Sequence, residues 1–127
     1  MSDLESSFRT FILQQEAIGA AISGRLYFDK IPDGVITPYV RAKTITDETS
    51  YHQQGVSVGK SMIQLDVFAE SKSGCAVTAT LIRTILAGYR GAMGTFRVVL
   101  FVRNVPSDWE ELVRLFRKIL EVEIRYA

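Results

Sequence analysis

Residues 61 to 86 switch hydrophobic period without an intervening loop, and this switch constrains the fold more than any other feature of the chain. From Ser61 to Glu70, Ile63, Leu65, Val67 and Ala69 alternate with Met62, Gln64, Asp66, Phe68 and Glu70, the period of a strand with one face in a core. Ser71-Lys72-Ser73-Gly74 then offers an N-cap, and Cys75, Val77, Ala79, Leu81, Ile82, Ile85 and Leu86 follow at helical spacing as far as Gly88. A strand that runs straight into an amphipathic helix predicts a sheet layer with a helix layer packed on it.

The flanking segments fit that scheme. Leu4, Phe8, Phe11, Ile12 and Ile18 recur at three- and four-residue steps behind a Ser2/Glu5 capping-box spacing, which predicts a helix over roughly 3–22 that Ser23-Gly24 stops. Arg25 to Asp29 is a short aromatic strand closed by Pro32-Asp33-Gly34. Pro38 holds Thr37 extended and cannot donate to a central ladder, so the next strand begins at Tyr39. It runs to Thr46, with Val40, Ala42 and Thr44 on one side and Arg41 and Lys43 on the other. Tyr27 and Phe28 are expected to pack an edge strand, with Pro32 and Pro38 keeping the crossing loop out of the sheet. Asp47 to Gly59 has few apolar anchors and two glycines, and reads as a long loop. Thr95–Val105 and Phe116–Tyr126 read as a C-terminal hairpin with a turn at Pro106-Ser107-Asp108. The expected fold is α+β and two-layered, with one mostly antiparallel sheet of about five strands covered on one face by two helices. Residues 1–127 are expected to form a single domain.

Composition narrows the function classes. With 47% apolar and 23% charged residues and a net charge of +1, the chain is globular in character and gathers no phosphate through its bulk field. No apolar run reaches the eighteen or so residues of a membrane span. Met1-Ser2-Asp3-Leu4-Glu5 lacks the positive flank and apolar stretch of an export signal, and the single Cys75 fits a reducing compartment, so the expectation is a soluble cytoplasmic protein. His52, near Asp47 and Glu48, has no second ligand at metal spacing and reads as an exposed loop histidine. Cys75 shares a helix face with Ala79, Ile82 and Leu86 and reads as a packed core thiol. Gly55, Gly59, Gly91 and Gly94 sit in no phosphate-cradle context. Trp109 and Leu112 interrupt the acidic group Asp108, Glu110 and Glu111, which reads as a solvated segment. No enzyme, cofactor or metal is expected.

The outward positions of the strands are more telling. With Phe96, Val98, Leu100 and Val102 facing the helices, Arg97, Val99, Phe101 and Arg103 face outward beside Met62 and Phe68. Such a mixed apolar and arginine surface suits a protein interface. A one-residue register slip, or cover by the 47–59 segment, would reverse that reading. The two open sheet edges offer backbone groups that neighbouring subunits can complete. Candidate interface residues are therefore Met62, Phe68, Arg97, Val99, Phe101 and Arg103, with Tyr51, His52 and Gln53 from the 47–59 segment.

Gly24-Arg25-Leu26-Tyr27, Pro38-Tyr39-Val40, Gln64-Leu65-Asp66-Val67-Phe68-Ala69 and the alternating last strand together resemble the phage tail completion, or tail terminator, family. The likeness covers nearly the whole chain, with Ser107 to Leu115 departing from it. It implies a non-enzymatic virion structural protein at the head-tail junction, assembled in the bacterial host cytoplasm. Such a subunit forms a ring with copies of itself, typically a hexamer, and ends the tail tube. Its partners would be the major tail tube protein and the head-completion or connector protein, with DNA passing through the ring without sequence-specific binding and no membrane involved. The residues also admit a small α+β ligand-binding protein or enzyme acting as a dimer. A nucleic-acid-binding module using Arg97, Arg103, Arg114 and Arg117 is the third reading.

Overall fold

The computed structural model describes residues 3–51, 57–105, 109–111 and 114–127, and the side chains of all of these except 49–51, 57 and 110. In chain order the elements are α1 (Asp3–Gln14), α2 (Glu16–Ile22), β1 (Leu26–Phe28), β2 (Tyr39–Tyr51), β3 (Ser57–Ala69), α3 (Lys72–Leu86), β4 (Arg90–Met93), β5 (Phe96–Val105), β6 (Trp109–Glu110) and β7 (Leu115–Tyr126).

The helix expected over 3–22 is broken in two at Gln15, whose backbone is extended (φ −74°, ψ 104°). No glycine or proline marks the break. Gln15 stabilises it locally, donating from its side-chain amide to the Phe11 carbonyl at 3.2 Å and from its backbone to Ile12 at 3.1 Å. The break lets both pieces bury their apolar faces, Leu4, Phe8, Phe11 and Ile12 from α1 and Ile18 and Ile22 from α2. Ser2, half of the expected capping box, lies outside the described residues; Glu5 instead accepts from the Thr44 hydroxyl at 2.5 Å. The stop at Ser23-Gly24 is as read from the sequence, although both residues take the left-handed conformation (φ 51° and 71°).

Seven strands form one sheet, six of them in the order β1-β2-β3-β7-β5-β4, with β6 pairing to β7. All pairings are antiparallel except β1 with β2. The count exceeds the expected five because β4, a four-residue segment around Gly91, and β6 carry no apolar alternation. β2 begins at Tyr39 behind Pro38, as expected, and β1 is the predicted short edge strand.

The long loop expected over 47–59 is corrected most. β2 continues to Tyr51 and β3 starts at Ser57, with Asp47↔Ser61, Glu48↔Lys60 and Thr49↔Gly59 in register. A bulge at Ile45, between Thr44↔Ile63 and Thr46↔Met62, lets the strand run on. The Ser61 hydroxyl donates to the Thr46 carbonyl there at 3.0 Å. Tyr51 is described as strand backbone only, whereas His52 and Gln53 lie outside the described residues, as do Gly55 and the expected turn at Pro106–Asp108.

The three helices of the described residues pack on one face of the sheet, so two layers form as expected with one helix more. The core joins Phe8, Ile12, Ile18 and Ile22 to Val40, Ala42, Ile63, Leu65, Val67, Val98, Leu100, Leu120, Val122 and Ile124, under Cys75, Ala79, Ile82 and Leu86 of α3. Ser71 caps α3 as predicted, its hydroxyl accepting from the Gly74 amide at 3.0 Å. Val77 departs from the expected buried face and is 68% exposed.

Gly59 shows how closely β3 meets the end of β7. The Tyr126 ring lies over it, and a Cβ at Gly59 would come within 2.2 Å of that ring. Tyr126 also donates to Asp47 at 2.8 Å and meets Phe96 edge-on at 5.4 Å. The expected outcome of Gly59→Ala is a loss of about 1–3 kcal/mol by urea titration, because the ring must leave its seat. In a Tyr126→Ala background the same change is expected to stabilise by about 0.5–1 kcal/mol, since alanine outranks glycine in an unobstructed strand.

Candidate interaction surface

Side-chain alternation on the central strands sends one set of residues away from the helices, and the register stacks them in rows across the sheet. Tyr39, Phe68 and Arg117 form one row; Arg41, Asp66 and Ile119 the next; then Lys43, Gln64, Glu121 and Arg103; then Met62, Glu123 and Phe101; then Glu48, Lys60, Arg125 and Val99. Carboxylates on β3 and β7 therefore meet cations on the neighbouring strands or two residues along their own. Arg103 meets Glu121 at 2.5 Å, Arg125 meets Glu123 at 2.9 Å, and Lys60 reaches Glu123 at 3.6 Å. The Arg125 guanidinium lies 5.0 Å from the centre of the Phe101 ring, within cation–π range.

This face is thus more charged than the sequence suggested. On β2, β3, β4, β5 and β7 the described residues set Arg41, Lys43, Lys60, Arg90, Arg97, Arg103, Arg117 and Arg125 against Glu48, Asp66, Glu121 and Glu123, an excess of four positive charges on these strands in a chain whose total is +1. The remaining surface carries the compensating negative charge.

The candidate interface residues separate into groups. Phe101 is 48% exposed and the Arg103 side chain 72%. Arg97 is exposed, and Met62 and Val99 are half-buried among the charged rows. Arg97, Val99 and Arg125 line a hollow of about 480 Å³ with Glu48 and Lys60. Phe68 is corrected: it points away from the helices but is only 4% exposed, because its ring stacks on Tyr39 at 5.1 Å and 27°. The alternation gave its direction, while its cover depends on a strand 29 residues away in sequence that no local pattern reveals.

Asp66 is the most constrained polar group of the surface, 1% exposed although on the helix-free side. Arg41 donates to its Oδ2 from Nη2 at 2.6 Å and from Nε at 3.2 Å, and Gln64 donates to Oδ1 at 2.9 Å. Burial of the neighbouring Tyr39 ring pushes its phenol above the ordinary value, and the Arg41 charge opposes that shift. On the other side of the sheet, burial pushes the Cys75 thiol up, with the Lys118 backbone and charge opposing, and its Sγ donates to the Val67 carbonyl at 3.1 Å.

No cluster of three His, Cys, Asp or Glu side chains able to hold a metal occurs among the described residues. A hollow of about 280 Å³ between α3 and the ends of β5 and β7 is lined by Ala76, Ala79, Thr80, Asn104 and Lys118. It gathers no acid–base pair and is smaller than an ordinary small-molecule site.

Arg41→Ala is expected to cost about 1–3 kcal/mol in urea unfolding, since it strips a buried carboxylate of its charged donor. Arg103→Ala, which removes an exposed pair, is expected to cost no more than about 1 kcal/mol. Cys75 should react with a thiol reagent at pH 8 at least about tenfold more slowly in the folded than in the urea-unfolded chain, because access and thiolate formation are both suppressed.

The comparisons with known proteins agree with this architecture. A chain in a structure described as the virion of a native gene transfer agent particle superposes with a TM-score of 0.68 at 15% identity, covering 93% of this chain and 90% of that one. At that identity the likeness speaks for the fold. No curated protein matches the sequence. The family model for tail completion protein gp17 matches residues 9–127, and the chain belongs to that family of phage structural proteins.

Proposed function

We propose that this chain is a non-enzymatic ring subunit at the head-tail junction of a phage or prophage particle, where it ends the tail tube and joins it to the head connector. Residues 1–127 act as one tail-completion-like domain. Copies of the chain, most simply six, close the ring; the major tail tube protein and the head-completion protein are its other partners. DNA passes through without sequence-specific contacts, and assembly takes place in the host cytoplasm. The observation that carries this reading is the family match over residues 9–127. The helix-free sheet face supports it, since Phe101, Arg103, Arg97, Val99 and Met62 leave apolar and cationic groups available for neighbouring subunits or the tube. Tyr51, His52 and Gln53 belong to the same proposed interface.

Phe101→Asp tests it. The substitution places a carboxylate on an exposed position, so the monomer should keep its unfolding midpoint while the fraction assembled into rings, alone or on tail tubes, falls at least about tenfold. Normal rings seen by electron microscopy would remove Phe101 from the interface.

A second reading, a nucleic-acid-binding module, is favoured by the excess of positive charge on the outer face of β2, β3, β4, β5 and β7, which includes Arg97, Arg103 and Arg117. Its signature is duplex affinity falling about 10³-fold or more between 50 and 200 mM salt. Affinity that is weak throughout that range leaves the structural reading alone.

A further inference from the structure

The hollow of about 480 Å³ on the helix-free face lies where β3 and β5 begin and β7 ends. Its volume falls within the roughly 300–1,000 Å³ of ordinary binding sites. Val58 and Val99, both half-buried, supply an apolar part. Lys60, Arg97 and Arg125, all exposed, supply the polar part, and among the described residues they stand against one lining carboxylate, Glu48.

These cations are poorly compensated. Lys60 and Arg125 share a single carboxylate beside the hollow, Glu123, at 3.6 and 2.9 Å. Arg97 has no side-chain partner among the described residues, while its backbone is held by paired bonds with Ala127 at 3.1 and 3.0 Å. An anchored backbone that carries an uncompensated guanidinium is ready to receive a carboxylate in a two-pronged pair. Arg90, also exposed, is level with Val99 and adds to the positive field.

Cationic groups around an apolar patch suit a carboxylate with an aliphatic or aromatic neighbour. A nucleic-acid strand fits less well, because its phosphates follow a continuous cationic track and its bases stack on open aromatic faces. Glu48 and Glu123 instead border the hollow on two sides, and Tyr126, the aromatic residue of the lining, has its ring turned onto Gly59. A second copy offering the same face would set like charge against like, given the positive excess on β2, β3, β4, β5 and β7.

We propose that this hollow receives an acidic segment of a different protein of the particle, a carboxylate pairing with Arg97 and Arg125 while an apolar side chain of the segment rests on Val58 and Val99. The proposal rests on the reading of this chain as a ring subunit of a particle and adds the chemistry by which one partner is held.

The probe is a synthetic peptide of glutamates around one leucine, titrated at low salt into the isotope-labelled natural protein and followed by amide NMR. Saturable shifts are expected at Lys60, Arg97, Val99 and Arg125, and none at Ala76 and Ala79 beside the α3 hollow. Affinity should fall at least about fivefold in Arg97→Gln and in Arg125→Gln, but less than about twofold in Lys43→Gln, whose cation lies on the same face outside the hollow. The same peptide with glutamines for glutamates should not bind. Shifts spread evenly over the cationic rows, or a loss in Lys43→Gln as large as in Arg97→Gln, overturn the site and leave only bulk charge. These shifts are read on the natural protein, so the test stands even where a variant fails to fold. A DNA oligonucleotide that binds at the same amides more tightly than the peptide overturns the proposal in favour of nucleic acid. Shifts there on concentrating the protein alone overturn it in favour of a second copy. Rings on tail tubes are scored separately by electron microscopy. Rings without peptide binding overturn this proposal and leave the ring reading standing, whereas peptide binding at the hollow without rings upholds the site and removes the ring.

Discussion

The pairing of β3 with β7, unbroken from Gly59↔Tyr126 to Ala69↔Phe116, is the constraint on which the rest of the structure depends. Ile63, Leu65, Leu120, Val122 and Ile124, all at or below 1% exposed, lie on this ladder under the helices. The same ladder aligns Gln64 with Glu121 and Met62 with Glu123 on the opposite side. A slip of one residue would send the buried set into water and the carboxylates into the core. Register therefore fixes the core and the charged face in a single step.

Placing every helix on one side has a consequence for the other. The uncovered face cannot be left apolar without inviting aggregation, and the chain fills it with ion-paired rows around a few apolar groups. Asp66 and Arg41 seal one end, and Phe68 hides against Tyr39. What remains open is Phe101 with its arginine neighbours, and the strand edges. A surface built in this way keeps groups available for contact, which suits a part of a virion.

Much of this was legible in the sequence where one face of an element meets the core. β3 and α3 could be read directly, since alternation and helical period are both imposed by burial. The β5/β7 hairpin and the start of β2 behind Pro38 were legible for the same reasons. The stretch Asp47–Tyr51 was not, because Asp47 and Glu48, successive residues of the strand, are both exposed and no apolar alternation is required there. The break at Gln15 was hidden because the apolar spacing continues through it. The charged rows could not be read because their partners, such as Lys60 and Glu123, are brought together only by the β3–β7 register. The family resemblance was carried by fold-setting residues around β1, β2 and β3, which explains why it was recognisable without any catalytic motif.

Amide hydrogen exchange on the isolated protein tests the central claim most directly. The account predicts that Ile63–Val67 and Leu120–Ile124, on the β3–β7 ladder, exchange slowest, whereas Lys43–Glu48 and Phe101–Val105, at the edges of the sheet, exchange fast. Edge amides as protected as those of the ladder, or fast exchange along the ladder itself, would contradict it.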